Sequence, residues 1–435
     1  MDAENHVKII SKVIIKPSSP TPNTHKTVKL SFLDQLLAPP FYVPFIFFYQ
    51  PDNSTVSINH AQISQQLKNS LSEALTLFYP LAGKLNPQIS TVDCNDGGAE
   101  FVEARVHTCL SDVIQEPNMD QLKKYLPMDP NTLITSGTDV APPPPLLAAQ
   151  INFFDCGGIA IGICSSHQIT DGASLVAFVD SWAAACRRQG QKGNFTPPSF
   201  DLARYFPPRD MSGFGFPQLK KEKLVTKRFV FDKEKLAALK RTAVSCPPGS
   251  SAAVKDPTRV EVVSAFIWKH FTENGHTKNV PAAWHIVNLR PRVNPTMENV
   301  FGNFILKKFI FSSGADPEFH ELVSEMRNGL REIDDEYIWK LSREYDGYAS
   351  DISKFYDLVA SGEMESVGFS SWARFPVYEM DYGWGKPVWV CPTSCPEKNV
   401  VFLMGTKDGD GIEAWVNMLE SSAEILEIKF KLLGN

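Results

Sequence analysis

Two rhythms of apolar residues alternate along this chain. Residues 61–79, AQISQQLKNSLSEALTLFY, place Ile63, Leu67, Leu71, Leu75 and Phe78 at helical spacing, and Pro80 follows. An apolar stripe with that period predicts a core-facing helix that the proline ends. Residues 158–164, GIAIGIC, are apolar without a break and short, which predicts a buried strand. Residues 173–186 return to the helical period, with Leu175, Val176, Phe178, Val179, Trp182 and Cys186 on one face. Strand-like runs alternating with amphipathic helices predict a layered α/β protein. No internal repeat is evident.

Proline and glycine mark the breaks. Residues 136–145, SGTDVAPPPP, hold four consecutive prolines and predict an extended surface connector. Residues 187–223 carry Gly, Pro and basic residues without a sustained period and predict a crossover between domains. The length of 435 residues gives a soft prior of about three domains. Hydrophobic residues at 43% and charged residues at 21% exclude global disorder. A net charge of −6 has the wrong sign for gripping a polyphosphate backbone, so no nucleic-acid partner is expected. The eight cysteines (94, 109, 156, 164, 186, 246, 391 and 395) form no CxxC pair and no zinc spacing, which predicts reduced thiols in a cytoplasmic protein and no metal. The first residues mix charges into their apolar positions, unlike a signal peptide, and the apolar stretch 41–49 is too short to cross a bilayer. No membrane association is expected.

The turn between the predicted strand and the second helix reads Ser165-Ser166-His167-Gln168-Ile169-Thr170-Asp171-Gly172. A histidine leaving a strand at the lip of a sheet can project its imidazole into a cleft, and a reference pKa of about 6.5 leaves it largely neutral at pH 7, as a general base must be. Asp171 opens the helix, where a carboxylate caps free N–H groups. By itself HxxxD is a weak signal, more often a helix-capping aspartate beside a hydrogen-bonded histidine than a catalytic pair.

HxxxDG after a Gly-rich strand resembles the signature of the BAHD family of plant acyl-CoA-dependent acyltransferases. Residues 370–390, SSWARFPVYEMDYGWGKPVWV, resemble that family's DFGWG block, with Asp381, Gly383, Trp384 and Gly385 matching and Tyr382 in place of Phe. Further resemblances run through the chain: LSFLDQL around Asp34, FYPLAGKL, DCNDGGAEFVEA, VNLRPRVNP around Arg290, FGN ending at Asn303, and DGIEAWVNM. The opening IKPSSPTP is similar to the alkaloid-acetyltransferase branch of the family.

The resemblance implies two similar chloramphenicol-acetyltransferase-like lobes of mixed sheets flanked by helices, one over 1–186 carrying HxxxD and one over 224–435 carrying DYGWG. The crossover 187–223 would join them, with about 369–392 exchanging into the first lobe's sheet. It implies a monomer that binds acyl-CoA, acetyl-CoA before malonyl or longer donors, as co-substrate, with a small-molecule alcohol such as an alkaloid or terpenoid as acceptor and no bound cofactor. His167 would be the general base. Asp171 would be structural, paired with Arg290. Ser370 and Trp372 would donate hydrogen bonds toward the oxyanion. In the DYGWG block, Gly383 and Gly385 would allow backbone angles that a side chain forbids, and Trp384 would fill the core. Arg209, Lys220, Lys221, Lys223, Lys227 and Arg228 are candidates for the CoA phosphates, or simply a solvated surface. Two other functions compete: a hydrolase using Ser165 or Ser166 with His167, although no GxSxG elbow exists, and a non-catalytic small-molecule binder.

Overall fold

The structure, a computed structural model, describes residues 6–37, 41–50, 59–132, 144–188, 197–211, 222–245, 254–274, 282–312, 314 and 316–433. Most of the SGTDVAPPPP connector, and within the expected crossover residues 189–196 and 212–221, lie outside them, as do Lys220, Lys221 and Cys246. In chain order the strands are β1 (Val7–Ile15), β2 (Thr27–Lys29), β3 (Tyr42–Tyr49), β4 (Lys84–Asn86), β5 (Thr91–Asp93), β6 (Ala99–Val106), β7 (Leu147–Phe154), β8 (Ile159–Ser166), β9 (Leu224–Phe231), β10 (Ala282–Asn288), β11 (Ile305–Phe311), β12 (Ser366–Ser371), β13 (Trp389–Cys391), β14 (Val400–Gly405) and β15 (Ile412–Leu419).

The fold is α/β and divides into two compact units. The first comprises Met1–Asp210, Asn299–Phe304 and Pro376–Thr393. Its six-stranded sheet runs β1-β6-β7-β8-β3-β13, parallel only between β6 and β7. Every residue of β3, β7 and β8 is buried, as a sheet covered on both faces requires. Gly162 in β8 is needed for close approach, since a Cβ there would lie 2.1 Å from the Tyr125 carbonyl oxygen. The last strand of this sheet, β13, comes from the chain just beyond the DYGWG block.

The two helices expected in this part of the chain form at His60–Leu77 and Gly172–Arg188. Asn59 caps the first, its side chain accepting from the Ala61 and Gln62 amides. Leu67, Leu71 and Leu75 are buried, whereas Ile63 is only partly covered. The helices are stitched together where Trp182 Nε1 donates to the Leu67 carbonyl at 3.2 Å and to Ser70 Oγ at 3.1 Å.

The second unit comprises Met211–Glu298, Ile305–Phe375 and Ser394–Asn435. Its sheet runs β11-β10-β12-β14-β15-β9, parallel where β12 meets β10 and β14. On one face, Leu236, Leu239, Trp268, Leu322, Met326 and Leu426 from four helices pack against Phe229, Phe231, Val401 and Val416. On the other, Phe355 from the helix Asp346–Ser361 packs with Ala282, Trp284 and Val400. Both units are thus mixed sheets flanked by helices.

Candidate active site

The turn after β8 is held by its own residues. Buried Ser165 donates from Oγ to Thr170 Oγ1 at 2.9 Å, and the Ile169 amide donates to the Ser166 carbonyl at 3.2 Å. Asp171, 1% exposed, opens the helix and accepts from the Ser174 amide at 2.8 Å, the capping bond that the sequence implied. His167 is half-buried, its amide donating to the Phe41 carbonyl at 2.9 Å and its ring edge-on to that of Phe41.

Neighbours from far along the chain set the state of the imidazole. Fully buried Asn303 places Oδ1 3.1 Å from His167 Nδ1, while its Nδ2 donates to the His167 carbonyl at 2.8 Å and to Asp34 Oδ1 at 3.0 Å. Turning this amide over would aim its NH₂ at the ring and its oxygen at a carboxylate and a carbonyl, neither of which can donate. The amide is therefore locked with Oδ1 toward the ring, and the network assigns the proton to Nδ1. Nε2 is left with the lone pair a general base needs.

Asp34 anchors the arrangement. Besides Asn303 Nδ2, its carboxyl group accepts from the Asn303 amide at 2.7 Å, the Ser31 amide at 2.8 Å and Ser31 Oγ at 2.6 Å. Burial pushes the Asp34 carboxyl above its ordinary range, and these four donors pull the other way. Ser174 clasps the same segment, exchanging bonds of 3.0 Å with the Gly302 amide and carbonyl. Gly302 has φ +130°, a conformation that favours glycine. Sequence reading assigned no role to Asp34, Asn303 or Ser174. The LSFLDQL and FGN blocks hold the first two, but nothing local marks them as partners, because 269 positions separate them.

In the second unit, Trp372 Nε1 donates to Ser370 Oγ at 2.9 Å and the indole packs on Phe402. The two expected donors are therefore arranged in series: the indole N–H ends on the serine oxygen, and the serine proton is the one that can be passed on. Arg290, 2% exposed, reaches Asn288 Oδ1 through Nη1 at 3.1 Å.

The DYGWG block lies in the first unit. Asp381 Oδ1 accepts from the amides of Gly383 at 2.7 Å and Gly385 at 3.0 Å, and both glycines have positive φ, +111° and +102°. Trp384, expected to fill the core, is only half-buried and stacks on Tyr382, which is 0% exposed and occupies the core instead. The basic candidates change most. Arg228 is held bidentate by Glu413 at 2.8 Å, Lys227 by Glu427 at 2.8 Å and Lys223 by Glu420 at 3.0 Å. Arg228 is thus paired between β9 and β15, and Lys223 and Lys227 pair with the helix Glu420–Leu432. Arg209 is fixed through its backbone to the Gln35 side chain.

Among the described residues no cluster of His, Cys, Asp and Glu is arranged to hold a metal, and no helix is long and apolar enough to cross a membrane. Ser165 spends its hydroxyl on Thr170 and Ser166 is fully buried, so neither serine offers itself as a nucleophile.

The sequence pattern of the transferase family matches residues 5–433. Stemmadenine O-acetyltransferase from Catharanthus roseus is 42% identical over 432 residues, covering 98% of this chain and 97% of that protein. Vinorine synthase from Rauvolfia serpentina is 40% identical over 431 residues, covering 97% and 96%. The crystal structure of vinorine synthase superposes with a TM-score of 0.82 at 38% identity, covering 98% of each chain. With both signature blocks in place, the chain belongs to the transferase family of BAHD acyl-CoA-dependent acyltransferases.

Proposed function

We propose that this enzyme moves an acetyl group from acetyl-CoA to a hydroxyl of a polycyclic alkaloid or terpenoid, with His167 as general base in a ternary complex. The locked Asn303 amide carries this reading, because it leaves His167 Nε2 as the basic nitrogen. Nε2 removes the acceptor's hydroxyl proton as the oxygen attacks the thioester carbonyl. The family resemblance assigns Ser370 and Trp372 to the tetrahedral oxyanion, and within the second unit Trp372 Nε1 donates to Ser370 Oγ, which polarises that hydroxyl. Collapse expels CoA thiolate, which takes the proton back from the imidazolium. The proton transfers contribute about 10²- to 10⁴-fold, roughly 3 to 5 kcal/mol. Positioning and oxyanion stabilisation contribute the rest. The name of the stemmadenine O-acetyltransferase supports acetyl as the acyl group and a hydroxyl as its acceptor. Asp171 and Arg290 act structurally, as does the DYGWG block, and the enzyme works as a cytoplasmic monomer with no resident cofactor.

The test crosses acetyl-CoA and malonyl-CoA with a panel of alkaloid and terpenoid alcohols and follows thiol release, the product mass identifying donor and acceptor. His167→Ala should abolish turnover in a protein that still folds, whereas Asp171→Ala should also lower the melting temperature through loss of its capping bond, worth about 1 kcal/mol. Retained turnover in His167→Ala would refute the assignment, and an acylated protein by intact mass would replace the ternary complex with a covalent intermediate.

A further inference from the structure

Two cysteines outside the acyl-transfer machinery share one surface clasp of the first unit. Cys109 precedes the short helix Leu110–Gln115, and Cys156 sits in the turn between β7 and β8. Several bonds hold these segments together. The Asp155 amide donates to the Val106 carbonyl at 3.0 Å, His107 Nδ1 lies 3.2 Å from Asp155 Oδ2, and the Leu110 amide donates to Cys156 Sγ at 3.3 Å. The turn itself closes tightly, with the Gly157 amide bonded to the Phe154 carbonyl and Gly157 at φ +84°. Cys109 immediately precedes the Leu110 amide that donates to Cys156 Sγ, which brings the two cysteines side by side, and both residues are exposed. The other described cysteines, 94, 164, 186, 391 and 395, are all buried.

We propose that Cys109 and Cys156 form an oxidation site: a surface dithiol that closes to an intramolecular disulfide on meeting hydrogen peroxide. Cys156 reacts first, because the Leu110 N–H stabilises charge on its sulfur. Its thiolate attacks one peroxide oxygen and breaks the O–O bond, giving a sulfenic acid and, with the proton that left the thiol, one water. The Cys109 sulfur then attacks the sulfenic sulfur. The S–S bond forms, the S–O bond breaks, and the hydroxyl leaves as a second water with the Cys109 proton. Two thiols are oxidised by two electrons in all and one peroxide is reduced. Cys109 suits the resolving role: the Cys156 sulfur, with Asp112 and Asp155 nearby, pushes its thiol up, so it is the weaker first attacker.

Position sets the consequence. The clasp joins the start of β8, whereas His167 follows its end at Ser166, and eight residues of strand span about 26 Å. The bond would therefore tie two segments far apart in sequence without touching the base. Cross-linking across 46 intervening positions restricts the unfolded chain. Oxidation should raise the melting temperature and leave acyl transfer unchanged.

The experiment treats the full chain with hydrogen peroxide, blocks free thiols with iodoacetamide, and maps non-reduced peptides by mass spectrometry. The expected result is one cross-linked peptide holding Cys109 and Cys156, an intact mass lower by two hydrogens, reversal by dithiothreitol and a higher melting temperature. Cys109→Ser should stop at a sulfenic acid on Cys156 that dimedone traps. Cys156→Ser should leave Cys109 trapping less dimedone, because the Asp112 and Asp155 carboxylates still push its thiol up. Sulfinic or sulfonic acid on both sulfurs with no cross-linked peptide would overturn the site. Equal dimedone trapping in the two variants would overturn the order of attack.

Discussion

Removing the Asn303 side chain isolates the contribution of the amide lock from that of the base it holds. In Asn303→Ala, His167 Nδ1 loses its acceptor at 3.1 Å, and the ring is free to carry its proton on either nitrogen. While the ring is neutral this bond is worth about 0.5 to 1.5 kcal/mol. Once proton transfer makes it an imidazolium, the bond becomes charge-assisted and worth about 1.5 to 3. The difference, roughly 1 to 1.5 kcal/mol, acts only in the transition state and corresponds to about tenfold in kcat. Population of the wrong tautomer adds to that, up to the limit of about 10⁴-fold set by losing the base altogether. Asp34 is not stranded, since the residue 303 amide still donates to it at 2.7 Å along with two donors from Ser31. Three side-chain bonds are lost in all, with His167 Nδ1, His167 O and Asp34, at a stability cost of about 2 to 4 kcal/mol. The assay is thiol release from acetyl-CoA at saturating acceptor, with melting followed in parallel. kcat should fall at least tenfold while the KM for acetyl-CoA changes little. In a His167→Ala background the same substitution should change nothing further, because its effect passes through that ring. An undiminished kcat in folded Asn303→Ala, or full additivity with His167→Ala, would refute the lock.

Three further outcomes are expected. Tyr382→Phe should stabilise the protein by about 1 to 3 kcal/mol in urea titrations, because the buried Tyr382 hydroxyl has no hydrogen-bond partner among the described residues; a loss of stability would show that it is satisfied. Gly162→Ala should cost about 3 kcal/mol or more, or abolish folded protein, since the new methyl would meet the Tyr125 carbonyl at 2.1 Å; wild-type melting would contradict that packing. His285 is held by burial at about 4, below its ordinary 6.5, so its contribution is fully present above pH 6.5 and is lost as pH falls toward 4, at up to about 1.4 kcal/mol per unit. His285→Phe, which keeps a ring beside Phe369, should flatten unfolding free energy over that window; an unchanged slope would put the proton elsewhere.

Much of the local structure was legible. The helices at His60–Leu77 and Gly172–Arg188 and the strand Ile159–Ser166 follow from period and punctuation, which depend on neighbours within a few residues. His167 and Asp171 were legible for the same reason, both lying in one turn between two recognisable elements. The boundaries were less so. β8 runs two residues past the apolar run at Cys164, because burial between β7 and β3 lets serines continue the strand. The partners of the basic candidates were not legible, for a related reason. A run of Lys and Arg gives no sign that Glu413 on β15 and Glu420 and Glu427 on the helix Glu420–Leu432 stand beside it, nearly 200 positions away.

By itself, then, the sequence determined the class of fold, the histidine and the family chemistry, since each is written in a contiguous block whose meaning survives without its surroundings. Only the tertiary structure decided which nitrogen of that histidine carries the proton. The decision passes through Asn303 to Asp34, residues with no shared period or motif. Hydrogen bonds act over about 3 Å, and only folding brings side chains 269 positions apart within that reach.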